Sequence, residues 1–278
     1  MQFLKKVIPV SIKNISKKKI INLEKFPKNT QQNDSINAYY CPACGNSINI
    51  FNRFPQWHLD ELDENNFIHS IYNFETLNLK NSSCPICNTG DSTRLYMLFL
   101  KSFFNKIDTS KIHKLIEFAP VPVIANYLKT LKFIEYRSAD LNDKNVNDTV
   151  DLTDMRIYDD CSYNIFICTH VLEHIADDIK AMKELYRILK PGGWGIINVP
   201  ILLTLTEDYE NHNITSENER LKHFGQKDHV RIYSKNGFVK KLNFAGFKVK
   251  QYGMDYFGTD VFEKCGIKKG SILYIVEK

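Results

Sequence analysis

From residue 111 onward the chain alternates short apolar runs with longer stretches whose apolar residues recur at helical spacing. "KLIEF" (114–118) reads as a strand, "VIANYLKTL" as a helix, and "FIEYR" (133–137) as a second strand ending near Asp140. "TVDL" (149–152) is a short third strand, and "YNIFIC" (163–168) a fourth, nearly all apolar as a strand buried on both faces must be. "DDIKAMKELYRILK" puts Ile179, Met182, Leu185, Tyr186 and Leu189 on one helical face, with acids at its start and Lys190 at its end. "PGG" (191–193) is expected to stop that helix, and "WGIINV" (194–199) to form a fifth strand. "SKNGFVKKLNFAG" is a helix opened by Ser234 and closed by Gly246, followed by the strands "FKVKQY" and "ILYIVEK". Segment 200–233 has no clear period. Strands alternating with helices predict an α/β fold, a parallel sheet with helices on both faces.

Residues 36–110 follow another pattern. "YYCPACGN" and "SSCPICNT" are two C-P-x-C knuckles. In each, a tight turn points both thiolates at one ion, and two knuckles complete a tetrahedral zinc site of Cys41, Cys44, Cys84 and Cys87. Four thiolates leave no open position, so such a zinc is structural. Gly45 and Asn88, directly after each second cysteine, suit the positive φ of these turns. Between the knuckles, "WHLDELDENNFIHSIYNF" is acidic and amphipathic, an inserted hairpin or helix. The expected division is a basic arm (1–35), a zinc-binding module with an insertion (36–110) and a second domain (111–278).

Charge matters only by location. The formal net charge is +5, but residues 1–35 hold eight lysines against Glu24 and Asp34, so the remainder is close to neutral. A phosphate-tracking surface over the whole body is not required, and nucleic acid is not the favoured partner. The arm is a candidate for contact with a membrane surface or a protein partner. No run approaches the 18 or more apolar residues that span a bilayer, and the apolar run after Lys5 and Lys6 is too short for a secretory signal. A cytoplasmic location is expected, which also disfavours disulfides among the seven cysteines.

Parallel sheets bind ligands at the carboxyl ends of their strands. The first such end, "EFAPVP", has no glycine. Pro120 and Pro122 lack the N–H groups that a pyrophosphate requires, so NAD, FAD and ATP fit poorly. S-adenosylmethionine (SAM), with a sulfonium cation and no phosphate, fits better. Glu117 would face its positive end, Ala119 permits close backbone approach, Asp140 suits the ribose hydroxyls and Asp151 the adenine amine. Phe118, Leu141 and Leu152 adjoin them at the same strand ends.

The stretch "YNIFICTHVLEHIADDIKAMKELYRILKPGGWGIINVPI" resembles the centre of class I SAM-dependent methyltransferases. The chain also resembles a narrower bacterial group in which a CPxC…CPxC zinc module precedes a "FAPE"-like loop, an "ADL" strand end and a late "FGQxDHVRxY" block. Here these are "EFAPVP", "SADL" (138–141) and "HFGQKDHVRIY" (223–233). The resemblance implies a Rossmann-like seven-stranded sheet, SAM as cofactor, and His170 beside it at the fourth strand end. It implies methyl transfer to an oxygen or nitrogen of a small-molecule or saccharide acceptor. An RNA methyltransferase and a non-catalytic binding module are the alternatives. Asn164 stands where the family opens its fourth strand with aspartate, a change expected to remove a hydrogen bond. "HVLEH" (170–174) also matches H-x-x-E-H zinc peptidases, but that reading needs a helix, and the helix here is expected to start near Asp177. Candidate catalytic groups are His229 as base or orienting group, Asp228 as its partner and His174, with Arg231 for an anionic acceptor group.

Overall fold

The computed structural model describes residues 38–278, so the basic arm lies outside the described residues. The chain opens with β1 (Tyr39–Tyr40) and β2 (Ser47–Ile48), an antiparallel pair carrying the first knuckle. α1 (Gln56–Glu64) and a 3-10 turn at Ile71–Asn73 form the insertion. After the second knuckle comes α2 (Asp91–Phe104), then β3 (His113–Phe118), α3 (Pro122–Thr130), β4 (Ile134–Asp140), β5 (Asp148–Thr149) and β6 (Tyr163–Thr169). The order continues with α4 (Asp178–Ile188), β7 (Leu189–Asn198), β8 (Tyr209–Glu210), α5 (Glu217–Phe224), β9 (Arg231–Ile232) and α6 (Lys235–Phe244). β10 (Lys248–Tyr252), α7 (Met254–Phe257), α8 (Thr259–Lys264) and β11 (Leu273–Glu277) complete it.

Seven strands form one sheet in the order β10-β11-β7-β6-β3-β4-β5. All neighbours are parallel except β11, which runs antiparallel to both β7 and β10. Alternate side chains feed two cores. Leu115, Ile165, Ile167, Ile196 and Ile275 point to one face and pack with α2, α3 and α8. Ile116, Phe166, Cys168, Ile197 and Val276 point to the other and pack with α4 and α6. Burial on both faces is what the near-continuous apolar runs encode. Each such Leu, Ile or Phe contributes about 1.5–3 kcal/mol.

Three expectations are corrected in detail. α4 ends at Ile188, and "PGG" lies inside β7 rather than between helix and strand. Tyr163 pairs with Leu189 and Ile165 with Trp194, so the extra residues form a bulge with Gly192 at φ +77°. Asp177 caps the helix by accepting from the Lys180 N–H at 2.9 Å. The third strand is only Asp148–Thr149: the Val150 N–H still donates to the Asp140 carbonyl at 3.0 Å, and the chain then turns, the Asp154 N–H returning to the Asp151 carbonyl at 3.0 Å. Asn164 keeps a hydrogen-bonding role: its Oδ1 accepts from the Lys114 N–H (3.0 Å) and from Lys190 Nζ (3.1 Å).

The knuckles share the first core with the sheet, and Arg94 ties the two together. Its buried guanidinium donates to the carbonyls of Thr89, Asn81, Cys265 and Gly266 and lies 4.0 Å over the Phe51 ring. Segment 200–233 gains its order from the insertion. Phe74 bridges to Leu202, Ile68 N–H donates to the Lys222 carbonyl, and Leu203 N–H to Asn73. No helix among the described residues is long and apolar enough to cross a membrane.

Candidate active site and thiol centre

The crossover in strand order falls between β3 and β6, where a parallel sheet opens a crevice at its carboxyl edge. Phe118 is in register with Ala139 on one side and Cys168 on the other, and Asp140 with Thr149. Ala119, Asp140, Asp151 and His170 are therefore gathered at four neighbouring strand ends. Phe118 and Leu152 are buried in the core and leave only backbone to a ligand, whereas Leu141 is exposed beside Asp140.

The glycine-free loop has a definite shape. Ala119 adopts φ +49°, the left-handed region where glycine is usual. Its N–H donates to the Ala139 carbonyl at 2.9 Å, and the Val121 N–H donates to Glu117 Oε1 at 3.1 Å. Pro120 and Pro122 have no N–H, and Pro122 opens α3. Across 119–122 no amide is left for a phosphate, which suits a cofactor without one. Glu117 braces this loop: it is buried, accepts from Tyr136 Oη at 2.8 Å on its second oxygen, and is pushed up to about 7 by burial. The Asp140 carboxylate is held in place by the N–H groups of Asn142 (2.7 Å) and Asp143 (2.9 Å), and that of Asp151 by Thr153 (2.7 Å).

A cavity of about 350 Å³ adjoins His170. One wall is the insertion, with Phe54, Trp57, Leu62, Phe67 and Phe74. The other is the segment after β7, with Ile201, Phe224 and His229. The sequence marked this insertion only as an acidic amphipathic run; its apolar face proves to be a cavity wall. Near the cavity lies a polar cluster. His170, at φ +56° and 45% exposed, has Nε2 3.1 Å from Ser92 Oγ and Nδ1 3.3 Å from Glu173 Oε1. "LEH" forms a 3-10 turn, Leu172–His174, so the helix required by the peptidase reading is absent there. His174 Nδ1 pairs with Asp228 Oδ2 at 3.2 Å, and its ring meets that of His229 edge-on at 4.7 Å. The partner of Asp228 is thus His174, not His229. Burial pushes the His229 imidazole down to about 4, so it is neutral near pH 7.

Arg231 does not face an acceptor. Its buried guanidinium donates to the carbonyls of Leu172, Ile175 and Ala176 and to Glu210 Oε2, clamping the turn after β6.

The four knuckle thiols converge. Cys41 and Cys87 Sγ are 3.7 Å apart, Cys44 and Cys84 Sγ 3.9 Å, and all four lie within 4.8 Å of one another. A tetrahedral zinc with Zn–S bonds of about 2.3 Å separates its sulfurs by roughly 3.8 Å. Gly45 (φ +77°) and Asn88 (φ +55°) both take the left-handed turn expected of them, and the cluster is compatible with zinc.

A seven-stranded sheet with this strand order, carrying acids at its strand ends and a loop closed to phosphate, defines a SAM-methyltransferase fold. The profile of the methyltransferase-domain family matches residues 19–252, and the chain belongs to that family of SAM-dependent methyltransferases. No curated protein matches the sequence. Similar solved structures include the CurJ carbon methyltransferase, at 13% identity and TM-score 0.45, covering 68% of this chain and 55% of that one. A SAM-dependent methyltransferase from Archaeoglobus fulgidus is 13% identical at TM-score 0.43, covering 66% and 93%. The [4+2]-cyclase SpnF is 12% identical at TM-score 0.39, covering 60% and 73%. This chain therefore spans just over half the length of the first of these.

Proposed function

We propose that the protein transfers the methyl group of SAM to an oxygen or nitrogen of a small acceptor held between the insertion and the segment after β7. The cavity carries this reading. Its volume falls at the lower end of the roughly 300–1,000 Å³ usual for small-molecule sites. Its walls are mostly aromatic and aliphatic, which suits a ring, a saccharide face included, better than a polynucleotide strand; the near-neutral body agrees. SAM, when bound, supplies a methyl group already activated by its sulfonium. The chain's contribution is then positioning and exclusion of water. Asp140 is the ribose anchor in this reading, Asp151 and Leu141 take the adenine, and the braced loop 117–122 approaches the amino-acid end. His229, neutral and at the cavity wall, orients or deprotonates the acceptor, and the His174–Asp228 pair sits against it.

The thiol centre is read as structural zinc. Residues 36–110 then form a zinc-braced segment that also supplies a cavity wall, residues 111–278 the cofactor-binding domain, and residues 1–35 a basic arm for a protein partner or a membrane surface in the cytoplasm. Calorimetry with SAM, S-adenosylhomocysteine and NAD tests the cofactor assignment. SAM should bind and NAD should not, and Asp140→Ala should weaken SAM by about 1–3 kcal/mol, the scale of a hydrogen bond to a charged group. Absence of SAM binding would favour the non-catalytic alternative, and unchanged affinity in the variant would remove Asp140 from the ribose.

A further inference from the structure

We infer that Glu173, His174 and His229 form a second metal centre, taking one divalent first-row transition ion at the margin of the acceptor cavity. Their donor atoms lie within 4.8 Å of one another. Glu173 is 1% exposed and His229 3%, and Glu173 Oε2 and His229 Nδ1 have no hydrogen-bond partner. Buried, unpartnered polar atoms on two residues of one donor cluster are costly unless a ligand satisfies them. A cation does so, because one is a carboxylate oxygen and the other an imidazole nitrogen.

The surrounding groups orient these donors. His174 points Nδ1 at Asp228, which leaves Nε2 to coordinate, the usual arrangement of a carboxylate behind a ligating histidine. His170 stands against Glu173 Oε1 and leaves Oε2 as the open oxygen. The backbone is fixed on both sides: the Val230 N–H donates to the Glu173 carbonyl at 2.9 Å, and Arg231 holds the carbonyls of Leu172 and Ala176. The ligand-bearing turn and the His229 segment are thereby locked together before any ion arrives.

Two imidazoles and one carboxylate suit manganese, iron, cobalt or zinc better than magnesium or calcium, and they leave coordination positions open. The thiol centre is the opposite case, soft and closed. His229 lines the cavity, so an open position there can hold an oxygen donor of the acceptor. This last step rests on the methyltransferase reading; the metal centre itself does not. With an ion in place the His229 lone pair is committed to it, so of the two roles proposed for His229 the orienting one remains, exerted through the ion.

The test is a titration of manganese(II) into the full, zinc-loaded chain, followed by loss of the free-ion electron paramagnetic resonance signal. Hard manganese(II) competes poorly for thiolates, so the two centres are read separately. One saturable manganese per chain is expected. His174→Ala and Glu173→Gln should each weaken it at least tenfold with zinc content unchanged, and His174→Ala should also keep its circular-dichroism melting. His174→Ala changes a partly exposed side chain whose pairing partner is exposed, so it remains informative if Glu173→Gln folds poorly. No saturable binding by the wild type, or equal binding by folded His174→Ala, would overturn the inference. Neither SAM nor an acceptor is present, so failure here and failure of the methyltransferase reading are separate results.

Discussion

Replacing Ala119 by glycine should stabilise the protein, although alanine to glycine usually does the reverse. Ala119 sits at φ +49°, held by its N–H on Ala139 and by the neighbouring Val121 N–H on Glu117. An L-residue in the left-handed region costs about 1–2 kcal/mol, which glycine avoids. Glycine adds about 0.4–1 kcal/mol of unfolded-chain entropy against folding. The balance is a gain of about 0.5–1 kcal/mol, read as a higher urea midpoint at an unchanged slope. Ala119→Val should lose about 2 kcal/mol or more, because a β-branched side chain tolerates this conformation least. SAM affinity should change little in the glycine variant, since the hydrogen bonds that shape the loop do not involve the Ala119 side chain. A loss of about 1 kcal/mol in Ala119→Gly, together with a harmless Ala119→Val, would show that residue 119 is not left-handed.

Further outcomes follow from other buried groups. Glu117 is pushed up to about 7, whereas an unfolded glutamate ionises near 4.3. The native state thus keeps a proton that the unfolded chain has released, and this contribution to stability falls as pH rises between those values, by at most about 1.4 kcal/mol per unit. Glu117→Gln, which mimics the protonated acid, should flatten that slope; an identical pH profile in the variant would refute it. Metal analysis should find about one thiol-bound zinc per chain as purified. Cys41→Ser or Cys84→Ser should lose it and expose residues 38–110 to proteolysis first, while a folded, zinc-free wild type with four reactive thiols would end that assignment. Arg231→Ala should cost about 3–5 kcal/mol, the scale of breaking a buried ion pair, by removing the cation beside buried Asp178 and the donor that the Ile175 and Ala176 carbonyls accept from. A stable variant that has lost only acceptor binding would return Arg231 to the cavity.

The sheet was legible in the chain because its strands are buried on both faces, and apolar runs as short as "YNIFIC", alternating with longer helical stretches, suit a strand covered on both sides. The knuckles were legible because the chemistry of each is local: two cysteines, a proline and a residue able to take a positive φ lie within five positions, and the same unit occurs twice. The helix caps at Asp177 and Ser234 are also local, and so is the placing of Asp140 and Asp151, set by where a strand or helix ends. What the one-dimensional pattern did not contain depends on contacts between distant segments. Ala119 is left-handed because Ala139 and Glu117 hold it so. "PGG" is a bulge because β7 must keep register with β6 on either side of it. Arg231, which resembled a ligand for an acceptor, is consumed by three carbonyls about 55 residues earlier in the chain. The cavity needs two segments that have no regular pattern apart and order each other across Phe74 and Leu202. Local propensity decides elements and turns, where a few neighbouring residues carry the energy. Only the packed sheet brings residues 54–77 over residues 200–229, and with them Glu173, His174 and His229 to one point.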